Sequence, residues 1–133
     1  TLLDVPKEKK IELPIMEDAQ LGMSIGMALG GRIPITIFPR MDFMMCCMNQ
    51  LVNHLDKMLD AKVIIRTCIG ATKPLHPGAQ HCGDYTEGLE AMLKNIRIIR
   101  LLHSLNIMPA YVGAFAGKRS CLLVEYGDKY NEP

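Results

Sequence analysis

The sequence predicts an α/β fold built on a mainly parallel sheet with helices on both faces. Three observations carry that expectation. Four short runs of aliphatic and β-branched residues recur along the chain, helix-forming or glycine-rich segments alternate with them, and the connections are long enough for crossovers. Strands buried on both faces read as continuous apolar runs, and parallel neighbours need a connection of about a dozen residues or more. The length of 133 residues, with 49% hydrophobic and 22% charged side chains, suits one ordinary globular domain.

Each element has its own justification. The leader, residues 1–12, is polar with nothing obvious to bury and reads as a linker. From Glu17 to Leu29, good helix formers are interrupted by Gly22, Gly26 and Gly30, whose spacing of four aligns them on one helix face. Glycine there weakens a helix, a cost that suits close approach by another backbone. IPITIF, from Ile33 to Phe38, reads as the first strand. Asp42 is placed to cap a helix running to Met58, with Phe43, Cys47, Leu51, Leu55 and Met58 in one stripe widened by Met44, Met48 and Val52. The helical spacing of Met41, Met44, Met45 and Met48 marks them as core. VIIRT, from Val63 to Thr67, is the second strand, and the stretch from Gly70 to Gly83 is a long loop rich in Gly and Pro. A helix from Tyr85 to Lys94, a strand from Ile96 to Leu101, a helix near Pro109 and a strand from Cys121 to Tyr126 complete the expectation.

Composition excludes some functions. Fifteen basic against fourteen acidic residues leave a formal charge of +1, too balanced for a nucleic-acid footprint. No apolar run approaches the roughly 18 residues of a membrane span, and the opening lacks signal-peptide order. A soluble protein of the cytoplasm or an organelle matrix is expected. The five cysteines are scattered without a C-x-x-C pair, so reduced thiols and no metal site are expected.

Two residues stand out for chemistry. Glu17 falls in the first turn of its helix, where a carboxylate is favoured by the helix dipole whether or not it reacts. His81 lies in the long loop, where a group titrating near neutrality can reach a cleft or simply be solvated. Both readings stay open at this level. His54 and His103 read as structural and His76 is undecided. No P-loop, dinucleotide, nucleophile-elbow or zinc-protease motif occurs.

PIMEDAQLGMSIGMALGGRIPITIFPRMDF, followed by NQLVNHLDK, VIIRTCIG and AQHC, resembles the pyrimidine-binding domain in the β subunits of thiamine-diphosphate-dependent 2-oxo acid dehydrogenases. The transketolase superfamily shares that domain. The matches fall in order: Pro14, Glu17, Gly22, Gly26, Pro34, Phe43, Gln50, Asn53, Lys57 and the Gln80-His81 pair, within a similarity spanning Ile11 to Tyr130. The resemblance implies a thiamine-diphosphate-binding fold of the pyrimidine-domain type, beginning after that domain's first strand. It implies that Glu17 hydrogen-bonds the aminopyrimidine ring of thiamine diphosphate, favouring the tautomer that activates the thiazolium carbon. Phe43 would then lie against the ring, Ile15 would line the same slot, and His81 would stabilise charged intermediates or move a proton. By the same analogy the glycine-spaced helix packs at a subunit interface.

The sequence departs from the pattern in informative places. Ile37 stands where an acidic residue is common, and His81-Cys82-Gly83-Asp84 replaces the usual His-Ser-Gln-Ser. The Gly-Asp-Gly diphosphate motif is missing, which implies that a diphosphate-binding partner subunit holds the diphosphate and magnesium. The implied function is decarboxylation or dehydrogenation of a small-molecule 2-oxo acid by a homo- and hetero-oligomer. Ketol transfer by the same cofactor, or an assembly module that keeps the fold without catalysis, are the alternatives.

Overall fold

The computed structural model describes residues 2–130. In chain order it contains α1 (Glu17–Leu29), β1 (Ile35–Phe38), α2 (Met41–Met44), β2 (Ile64–Ile69), α3 (Thr86–Met92), β3 (Arg97–Leu101), α4 (Ile107–Ala116) and β4 (Cys121–Tyr126). The strands form one sheet in the order β1-β2-β4-β3, every pair parallel. Phe38 pairs with Thr67, Ile69 with Tyr126 and Leu101 with Glu125, so the carboxyl ends of all four strands lie along one rim.

The predicted α/β class is the observed one, with adjustments at the strand ends. β1 begins at Ile35 and not Ile33, because Pro34 has no N–H to give; its carbonyl instead accepts the Ile64 N–H at 3.0 Å. β2 runs on through Cys68 and Ile69, because Glu125 and Tyr126 of β4 extend alongside them.

The two faces of the sheet are covered unequally. On the first, Phe38, Val63, Ile65, Ile69, Leu122 and Val124 pack against Leu21, Ile25 and Ala28 of α1, the segment that begins with α2, and Leu89 of α3. On the second, Ile64, Leu101, Cys121 and Leu123 pack against Ala114 of α4. Helices thus occupy both faces, but α4 leaves beside it an open apolar groove of about 390 Å³ between Ile35, Ile64 and Phe115.

One helical expectation is corrected. α1 has the predicted bounds, and among the described residues its glycine face is open: the nearest atoms to a Cβ on Gly22 would be those of the Gln50 side chain, and one on Gly26 would meet nothing within 4 Å. The single regular helix expected from Asp42 to Met58 is instead a relay. After α2 the backbone is 3-10 helical at Met45–Cys47, π-helical at Asn49–His54 and 3-10 helical again at Leu55–Lys57. In the wide turn the Leu55 N–H reaches both Gln50 and Leu51 carbonyls. The cause lies at its far end. Leu55 enters the core while Asp56, also buried, accepts backbone N–H groups of Lys94, Asn95 and Ile96 at 2.7–3.1 Å.

The core stripe accordingly runs through Met41, Met44, Cys47, Leu51 and Leu55, with Met48 and Val52 packed beside it. Phe43 and Met45 are only half-buried, and Met58 is exposed. Nor does Asp42 cap the helix: Arg40 is the N-cap residue, without a side-chain capping bond. Among the described residues all five cysteines are free thiols, and no helix is long and apolar enough to cross a membrane.

Candidate functional site

In parallel sheets ligands gather beyond the carboxyl ends of strands. Here β1 leads at that rim into Pro39, Arg40 and α2, while β2 leads into the loop 70–83. Despite its length the loop is tied down. Gly70 donates its N–H to the His81 carbonyl at 2.9 Å, folding the far end of the loop back over the strand end. Only glycine allows this closure, since a Cβ on Gly70 would run into the His81 carbonyl oxygen. Asp128, just past β4, accepts the Thr72 N–H at 2.7 Å and the Thr72 hydroxyl at 2.9 Å, bonds that hold its carboxyl below the usual range. Asp42 accepts the Gly83 N–H and the Tyr85 hydroxyl, both at 3.2 Å, and its charge pushes the Tyr85 phenol up. His76 is turned back on the loop, its Nδ1 accepting the Gly78 N–H at 3.0 Å.

The closure carries His81 to Phe43. Their rings meet edge to face with centroids 5.4 Å apart and planes at 81°. Glu17 opens α1, whose first turn faces the segment following α2: burial, then the charge of Asp18, with a contribution from Glu17, pushes the Cys47 thiol up to about 12. Cys47 follows Phe43 by one helical turn and is fully buried, so it is a packing thiol and no nucleophile. Ile15, in the approach to α1, is 93% exposed. His54 is half-buried on the π turn and His103 is exposed.

Phe43 and His81 are therefore brought into contact, Glu17 stands on the neighbouring helix end, and Ile15 stands apart. Sequence reasoning passed over Arg40 and Thr67, which at the same rim share an unusual feature with His81. Arg40 Nε, Thr67 Oγ1 and His81 Nδ1 are buried without a hydrogen bond within the described chain, three of only five such side-chain atoms. Buried polar atoms are nearly always paired, so their concentration here distinguishes the rim from the rest of the molecule. The one sequence signal for Arg40 is its place immediately beyond a buried parallel strand.

What the rim offers is an aromatic ring at Phe43, a histidine with an uncommitted ring nitrogen and, at the start of α1, the carboxylate of Glu17. Among the described residues no group of three or more His, Cys, Asp or Glu could hold a metal ion. Compared with known proteins, the chain matches no family model and no curated protein.

Proposed function

We propose that this chain is the pyrimidine-binding half of a thiamine-diphosphate-dependent enzyme, of the thiamine-diphosphate-binding fold, and acts on a 2-oxo acid only with a diphosphate-binding partner subunit. The observation that carries the reading is the Phe43–His81 pair, assembled from two distant stretches of sequence at the carboxyl rim by a loop fixed at Gly70, Asp42 and Asp128. When bound, the cofactor supplies an electron sink for loss of the carboxyl group. Phe43 supports the pyrimidine, Glu17 holds a proton at a ring nitrogen, and His81 holds or moves a proton at the substrate oxygen. The same reading assigns the glycine face of α1 to a subunit contact and the protein to the cytoplasm or an organelle matrix.

Glu17→Gln, in a complex assembled with a diphosphate-binding subunit, separates this role from a merely helical one. As a dipole-compensating residue Glu17 would account for only about 0.3–1 kcal/mol of stability. As the cofactor-activating residue, its replacement leaves folding intact and removes most of the exchange of the thiazolium proton for deuterium. His81→Ala should keep that exchange while turnover of the 2-oxo acid falls. Unchanged exchange in Glu17→Gln would overturn the assignment.

A further inference from the structure

Resting on the reading above, we propose that Arg40 determines substrate specificity by taking a second anionic group of the substrate, one that persists through the reaction. Arg40 lies between the end of β1 and Phe43, at the N-cap of α2. Its Nη1 donates to the Pro39 carbonyl at 2.7 Å, and its Nε is buried with no acceptor. Among the described residues the ion pairs are Arg66–Glu125 and Arg100–Glu90, so Arg40 has no carboxylate of its own.

Two acids that fix the loop at this rim are already committed. Asp42 serves Gly83 and Tyr85, and Asp128 serves Thr72 and Lys73. Arg40 Nε lies 3.3 Å from where a Cβ on Gly70 would stand, so the guanidinium packs close to a backbone that only glycine leaves without a side chain. Gly70 in turn donates its N–H to the His81 carbonyl, so Arg40 and the His81 backbone both lie against one residue. An unpaired guanidinium N–H, an unpaired hydroxyl at Thr67 and an unpaired imidazole nitrogen together call for a ligand rich in acceptors. A guanidinium fork matches a carboxylate or a phosphate and binds either through charge-assisted hydrogen bonds.

Which carboxylate it holds follows from the chemistry of decarboxylation. The carboxylate that departs as carbon dioxide loses its charge on the way, leaving its bonding electrons on the cofactor-bound carbon. A guanidinium paired with that group would stabilise the substrate more than the transition state and slow the step. An arginine at such a site works with the reaction when its anion stays charged throughout. The implied substrate class is thus a 2-oxo acid carrying an additional carboxylate or phosphate.

The test uses this chain with two kinds of probe, followed by nitrogen-proton NMR of the arginine Nε–H groups and the His81 ring. Glutarate and inorganic phosphate probe the anion site and, compared with each other, decide between carboxylate and phosphate. 4-Amino-5-hydroxymethyl-2-methylpyrimidine probes Phe43. One of the two anions should shift Arg40 and His81 and saturate at a concentration about tenfold below that needed for the exposed Arg32, Arg97 and Arg119, which act as internal controls. Arg40→Gln should abolish the response at His81 and Arg40→Lys should keep part of it, both with unchanged far-ultraviolet circular dichroism. If Arg40 responds no better than the exposed arginines, or His81 responds equally in Arg40→Gln, the proposal is overturned. A pyrimidine that binds while anions do not defeats this inference alone; anions that bind while the pyrimidine does not leave Arg40 in place and defeat the cofactor reading.

Discussion

Arg66 on β2 and Arg40 just beyond β1 belong to neighbouring strands of one sheet, yet their surroundings are opposite. Arg66 points into the second face and forks onto Glu125 with two hydrogen bonds of 2.6 Å. Glu125 also accepts the Tyr130 hydroxyl at 2.6 Å, and Tyr130 reaches Cys68 at 3.2 Å. Burial opposes the charge on Glu125, but the bonds from Arg66 and Tyr130 outweigh it and hold the carboxyl below its ordinary range. The bond to Glu125 pushes the Arg66 guanidinium up, and burial with the charge of Glu125 pushes the Tyr111 phenol up to about 12. Arg40 has a single bond, to the carbonyl beside it, and a dry, unpaired Nε. A charge whose bonding capacity is filled inside the chain serves the fold, whereas one left unfilled at a strand rim is poised for something outside it.

The largest effect should come from breaking the filled cluster. Glu125→Ala leaves Arg66 and Tyr130 facing a lost acceptor and should lower unfolding free energy by about 3 kcal/mol, the low end for a buried pair because the Arg66 side chain is 34% exposed. Urea denaturation measures this, and the double change Arg66→Met with Glu125→Leu should recover much of the loss. A change within about 0.5 kcal/mol, the range of ordinary surface substitutions, would erase the contrast.

A smaller effect is expected from acid. Glu125 and Asp56 both have carboxyls held below their ordinary values of 4.5 and 3.8; at Asp56 burial again opposes ionisation, and the N–H groups of Asn95, Lys94 and Ile96 prevail. A lowered folded-state pKa contributes stability that is complete above the unfolded value and is lost as pH falls through the folded one. Urea midpoints should therefore be flat from pH 7 to about 5 and then decline, less steeply in Glu125→Gln than in the wild type. An unchanged acid limb in that variant would detach the cluster from pH stability.

The smallest effect belongs to Arg40. Replacing it by Gln should move unfolding free energy by less than about 0.5 kcal/mol, because its one internal partner, the Pro39 carbonyl, lies at an exposed position where water can replace the bond. A loss as large as that of Glu125→Ala would make Arg40 a structural residue.

How much of this was legible in the sequence follows from the range of the interactions involved. The strands and α1 are set by local pattern, and Glu17–Leu29 could be read from its helix formers alone. The irregular course after α2 was hidden, because Asp56 is held by backbone groups at Lys94, Asn95 and Ile96, far along the chain. Glu17, Phe43 and His81 were legible as residues through resemblance. Their relation was not, since the path of the loop depends on Asp128 at the other end of the sequence. Arg40 escaped because an arginine reads as surface until the absence of a partner is seen.

The π turn at Asn49–His54 has a consequence for the lengths of related chains. A π turn holds one residue more than the α turn it replaces, and an α-helix rotates by about 100° for each residue. Closing the wide turn into regular helix without losing that residue would swing everything downstream around the axis. Leu55 would leave the core and Asp56 would leave the amides of Lys94, Asn95 and Ile96 together. A homologue that has a regular helix and keeps Leu55 in the core and Asp56 on those amides should therefore be one residue shorter between Phe43 and Leu55.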